Sequence, residues 1–157
     1  MSVTMSRIAH ETGIGRATLY KYFPDVETIL RSQHERLVLD HLAQLTQASQ
    51  RAVGTRGRLE AVSLMYARMC HHRAQHGVFD LSVLVHKPEH VAAAEGKLHA
   101  LFEDVLSDAA RSGDVRADIK PGELAVYLLH ALGAASNLAS EAAVRRLITV
   151  TLAALRA

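Results

Sequence analysis

Val3 to Leu30 reads VTMSRIAHETGIGRATLYKYFPDVETIL, and the spacing of its apolar residues decides how the N-terminal part of the chain folds. Thr4 stands where a side-chain oxygen can cap a helix, and Met5, Ile8 and Ala9 then share one face. Gly13 predicts the end of that helix, because glycine enters the left-handed backbone of a C-terminal cap without a Cβ penalty. Ile14, next in the turn, is expected to plug the space between two helices. A second helix over about residues 16–22 turns Leu19 inward, with Phe23 four residues on. It leaves Arg16, Ala17, Thr18, Tyr20, Lys21 and Tyr22 outward. Two short helices around a tight, glycine-containing turn form a helix-turn-helix, whose second helix enters the DNA major groove.

The outward set has the chemistry for that role. Arg16, at the helix N-terminus, can meet a guanine edge with two parallel hydrogen bonds. Thr18, Tyr20 and Tyr22 offer hydroxyls to phosphate oxygens, and Lys21 offers a point charge. Spacing alone leaves a second reading open, in which Tyr20 and Tyr22 pack on neighbouring helices. Charge does not choose between them. The 157-residue chain carries a net charge of only +2, and Arg7, Arg16 and Lys21 against Glu11 leave residues 1–24 at the same modest value.

Ile8-Ala9, Gly13-Ile14, the TLYKYF of residues 18–23 and then Asp25, Glu27, Ile29 and Leu30 fall together at a characteristic spacing. In that combination the segment resembles the DNA-binding signature of the tetracycline-repressor-like (TetR/AcrR) family. The resemblance implies an Ω-shaped homodimer on palindromic operator DNA, usually a repressor released by a small-molecule effector. Position by position it implies DNA contacts from Thr4, Arg16, Ala17, Thr18, Tyr20, Lys21 and Tyr22. Three departures stand out. The family pattern has a further helix ahead of Thr4, so an incomplete motif with its first helix missing is expected here. Ile8, Leu19 and Phe23 would then lose part of their cover, each such burial being worth roughly 1.5–3 kcal/mol. Val26 occupies a position where the family usually has a phosphate-binding lysine, and Gly15 replaces a serine-type cap at a cost of a few tenths of a kcal/mol.

The remainder reads as all-α. Apolar residues make up 49% of the chain but aromatics only 4%, and the alanine and leucine that fill the gap favour helices. Asp25 caps a long helix with Val26, Ile29, Leu30, Leu37, Leu42 and Leu45 as its apolar stripe, ending near Arg51 ahead of a break at residues 54–57. The resemblance implies that this helix joins reader to sensor. Residues 1–50 are therefore expected to be the helix-turn-helix region and linking helix, and residues 51–157 a helical-bundle ligand-binding and dimerisation domain. Within the latter, helices are expected over about 58–76, 89–111, 123–138 and 141–155.

The last of these has clean periodicity at Val144, Leu147, Ile148, Thr151, Leu152 and Leu155. Its predecessor is apolar nearly all round, with Leu128, Leu132 and Ala135 among its residues. These nine positions are the expected dimer interface, since a helix apolar on every side needs cover on every side. Burial within one subunit is the alternative. Met65, Met69, Cys70, Phe79, Leu84 and Phe102, with His72 as a polar group, are candidates for an effector pocket, although such residues also make plain core. His72 and His76 have the spacing of a helical metal pair, but no third ligand lies at a matching offset, so no metal and no cofactor are expected.

Several function classes recede. No nucleophile elbow, phosphate-cradling glycine loop or metal-plus-base helix motif occurs, so an enzyme is not expected. The longest uncharged run, residues 124–140, is shorter than the roughly 20 apolar residues of a membrane span. One cysteine, Cys70, and no basic-then-apolar leader suit a reducing cytoplasm. The rival to a regulator is a helical ligand-binding or dimerising protein that lost DNA binding through N-terminal truncation.

Overall fold

The structure is a computed structural model that describes residues 3–75 and 88–157. Its elements, in chain order, are α1 (Met5–Thr12), α2 (Arg16–Tyr22), α3 (Val26–Arg51), α4 (Gly54–Gln75), α5 (Pro88–Arg111), α6 (Pro121–Gly133), a 3₁₀ turn (Ala134–Asn137) and α7 (Glu141–Ala153).

Local chemistry sets the starts and stops. The Thr4 hydroxyl accepts from the Arg7 N–H at 3.3 Å, opening α1, and Gly13 closes it in the left-handed region at φ 69°. The Asp25 carboxylate accepts from both the backbone N–H and the hydroxyl of Thr28, each at 2.7 Å, and opens α3. Gly54, at φ 73°, makes the reversal between α3 and α4. Helix α4 thus starts at once, and the expected break over residues 54–57 is its first turn. The Thr55 hydroxyl on that turn hydrogen-bonds to Ser112 and Asp114 beyond the end of α5. The expected helix to residue 138 stops at Gly133 and tightens into the 3₁₀ turn.

The expectation of an incomplete motif without its first helix is overturned. An intact helix, α1, stands at the start of the motif, and its Met5 and Ala9 are buried against Leu19 of α2. The cover thought to be lacking comes from the next element as well: Val26 and Ile29 of α3 pack on this cluster, together with Ile8 and Phe23. Ile14, expected as a plug, is 43% exposed.

A second, larger core fills the bundle, with Leu45 of α3, Leu59 and Val62 of α4, Phe102, Val105 and Leu106 of α5, and residues of α6 and α7. Phe102, fully buried, meets Tyr66 edge-on at 5.5 Å between ring centroids. Most of the nine residues expected at a dimer interface lie inside this core. Leu128, Leu132, Ala135, Val144, Ile148, Thr151 and Leu155 are buried within the single chain, and Leu147 and Leu152 are half-buried against the same cluster. The clean periodic stripe of α7 is therefore the face turned toward its own bundle. Outward, α6 shows Val126 and Tyr127 at 47% and 45% exposure, and α7 shows Val150 at 70%.

Asp108 ties two helices of the bundle. Its carboxylate is bound by Arg58 of α4 and by Arg111 of its own helix. Those hydrogen bonds, Arg58 first, hold its pKa below the ordinary aspartate value. A depressed folded pKa stabilises above the unfolded value and ceases to do so as pH falls through the folded one. Asp108→Asn is therefore expected to lower Tm by a few degrees at pH 7. The gap to the parent should narrow below about pH 3.9, the unfolded aspartate value, and close in stronger acid. A gap of constant size across a pH series of melting curves would exclude this account.

The two cores also predict independent responses. Leu19→Ala should remove about 2–5 kcal/mol from a cluster with only three buried residues. Amide hydrogen exchange is expected to show α1 and α2 losing protection while α4, α6 and α7 keep theirs. Parallel loss across the whole chain would mean that the clusters are one cooperative unit.

Candidate nucleic-acid interface

Helix α2 is seven residues long and buries one of them, Leu19, at 5% exposure. Anchoring by a single apolar side chain leaves the rest of the short helix outside. Arg16, Ala17, Thr18, Tyr20, Lys21 and Tyr22 are all exposed, with Tyr20 at 53% and Tyr22 at 68%. The reading in which the two tyrosines pack on neighbouring helices does not match that exposure. Phe23 is the half-buried exception that caps the helix, its N–H donating to the Leu19 carbonyl at 2.9 Å.

Gly15 precedes α2 and offers no side-chain cap. Lys21 places its ammonium 6.0 Å from the centroid of the Tyr22 ring, at the outer limit of a cation–π contact. Thr4, the remaining predicted contact, is exposed but already spends its hydroxyl as acceptor for α1. In α1, Arg7 pairs with Glu11 at 2.8 Å on the helix exterior, so one of the few cations of this region is partly neutralised. Val26 opens α3 half-buried, packed on the small core, and contributes packing where a lysine would contribute charge.

The residues expected to line an effector pocket divide between the large core, the surface and the undescribed stretch. Met65, Met69 and Cys70 are half-buried on α4 against the large core, and Phe102 is fully buried within it. His72 is exposed, while Phe79 and Leu84 lie outside the described residues, as does His76. Tyr66, absent from the sequence candidates, stands between Phe102 and Cys70. Burial raises the Tyr66 pKa, and burial also pushes the Cys70 thiol up, against the hydrogen bond from Tyr66. His71, not His72, turns to the interior, with Nδ1 3.3 Å from the Ala135 carbonyl. The i, i+4 phase of Tyr66 with Cys70 was available as a signal; the choice between adjacent histidines was not. Among the described residues, no three histidine, cysteine or carboxylate side chains converge to hold a metal, and no helix is long and apolar enough to cross a membrane.

Residues 60–157 match the family described as transcriptional regulator SbtR-like, C-terminal domain. Residues 1–32 match the family described as bacterial regulatory proteins, tetR family, in agreement with the intact α1. No curated protein matches the sequence. Among solved structures, a TetR/AcrR-family transcriptional regulator from Thermobifida fusca shares 16% identity at a TM-score of 0.80, over 99% of this chain and 88% of that one. The TetR transcriptional regulator SCO0520 from Streptomyces coelicolor shares 22% identity at a TM-score of 0.65, over 96% and 86% of the two chains. AibR in complex with isovaleryl coenzyme A and operator DNA shares 15% identity at a TM-score of 0.61, over 98% and 86%. At such identities these likenesses establish the fold.

Proposed function

The chain belongs to the tetR family of bacterial regulatory proteins, with an SbtR-like C-terminal domain, and from that premise we propose that it is an operator-binding repressor, released by a small-molecule effector. The family is one of DNA-binding transcriptional regulators, not of enzymes. The observation that carries the finer reading is the surface of α2. Six of its seven residues are exposed, and they include a guanidinium, an ammonium and three hydroxyls on one short rod. Arg16 reads a base edge, Thr18, Tyr20, Tyr22 and Lys21 hold phosphates, and Ala17 gives room for close approach. Thr4 lies at the start of α1, where its position favours a backbone contact from the same side. An effector is supported by the fold likeness to AibR, which is described with isovaleryl coenzyme A and operator DNA.

Palindromic operators call for a twofold homodimer, with recognition helices one DNA turn apart, about 34–36 Å. The outward faces of α6 and α7 are the surface we assign to it. Val126, Tyr127 and Val150 are large apolar side chains left exposed there, and an isologous contact would cover them.

Arg16→Ala is expected to cost about 1–3 kcal/mol at the operator and to relax sequence preference at one base pair. Lys21→Ala should instead weaken binding to all sequences and reduce the salt slope by about 1. Gel-shift titrations over a salt series distinguish the two, and equal behaviour of both variants and the parent would remove α2 from the interface. For the dimer, Val150→Glu should give a folded monomer in sedimentation velocity, with circular dichroism unchanged. Persistence of the dimer in that variant would move the contact to another face.

A further inference from the structure

We infer that the cleft between the last turns of α4 and the start of α7 binds a small anion through carboxylate or phosphate oxygens. The cleft measures about 530 Å³ and is lined by Arg68, His71, His72, Gln75, Ser140 and Glu141, with Ala139 between. Six of its seven lining residues are polar or charged, and their aliphatic stems supply the rest of the wall.

Charge gives the sign of the ligand. The Arg68 Nε donates to Glu141 Oε1 at 2.6 Å, and the Arg145 Nε lies 3.9 Å from the same oxygen. Two guanidiniums thus contact one carboxylate, Arg68 from the cleft lining and Arg145 from the exposed side of α7. The side chains of Arg68 and Glu141 are 44% and 42% exposed, so the pair is open to exchange with a solute. A ligand carboxylate or phosphate can replace Glu141 on the planar donor fork of Arg68 without leaving the guanidinium unpaired. The neighbours are already oriented for it. His71 is held by Nδ1 against the Ala135 carbonyl, which fixes the plane of its ring. Gln75 commits one amide hydrogen to the Leu138 carbonyl at 3.5 Å and keeps the other.

The site lies on elements remote in sequence from α2 and gives a chemical class to the effector proposed above. That link rests on the regulator reading, whereas binding itself is measured without DNA. Isothermal titration of the full chain with citrate, and separately with inorganic phosphate, against chloride at equal ionic strength tests it. Saturable binding of at least one anion is expected, weaker by about tenfold or more in Arg68→Gln. It should strengthen severalfold in Glu141→Gln, where the internal competitor is gone and the Arg68 guanidinium is released. A merely structural ion pair would give the second variant lower stability and no gain in affinity. Citrate alone binding assigns a carboxylate ligand, phosphate alone a phosphorylated one, and either outcome supports the site. Absence of saturable heat in both the parent and Glu141→Gln would overturn it. So would binding that survives in Arg68→Gln and disappears in Lys21→Ala, since the anion would then sit on the reader. Should Arg68→Gln not fold, the Glu141→Gln titration decides by itself.

Discussion

Leu19 has to be covered. It is the only buried residue of α2, and a seven-residue helix cannot hold its shape in water by its own hydrogen bonds. Met5 and Ala9 of α1 cover it from one side, and Val26 and Ile29 of α3 pack on the same cluster. The exposed residues of α2 keep their common face only while that cluster holds. The Asp25 cap matters for the same reason, because it fixes where α3 begins and therefore where Val26 and Ile29 meet the two short helices. The polar exterior of α2 is thus held in place by a very small amount of apolar contact on the inside.

Much of this was legible in the sequence, and the legible parts share a cause. Thr4, Gly13 and Asp25 each act within three or four residues of themselves, so the limits of α1 and the start of α3 follow from local chemistry. The inward turn of Leu19 and the outward turn of its neighbours follow from helical phase. What was misread depended on partners far along the chain. The glycines at 54 and 57 look like a break, yet the hydrogen bonds of Thr55 to residues 112 and 114 show the first turn of α4 seated against the end of α5. The supposed shortage of cover over Leu19 took no account of Val26 and Ile29 at the start of α3.

The faces of α6 and α7 show a different limit. A regular apolar stripe says that a face is covered and is silent on whether its own chain or another supplies the cover. Here the strong stripe of Val144, Ile148, Thr151 and Leu155 belongs to the chain's own core. The weaker one, Val126 and Tyr127 with Val150, is left outside. Methionine and phenylalanine at helical spacing marked the core itself, as Phe102 against Tyr66 illustrates, while the polar cleft at the end of α4 carried no periodic signal at all.

Helix α3 contributes to both clusters, Val26 and Ile29 to the small one and Leu45 to the large one. Over its 26 residues it spans about 39 Å at 1.5 Å per residue, and none of its described side chains between residues 27 and 44 is fully buried. Such a stretch is a natural seam for genetic exchange. A crossover there would graft a new pair of short helices onto an old bundle while breaking neither core.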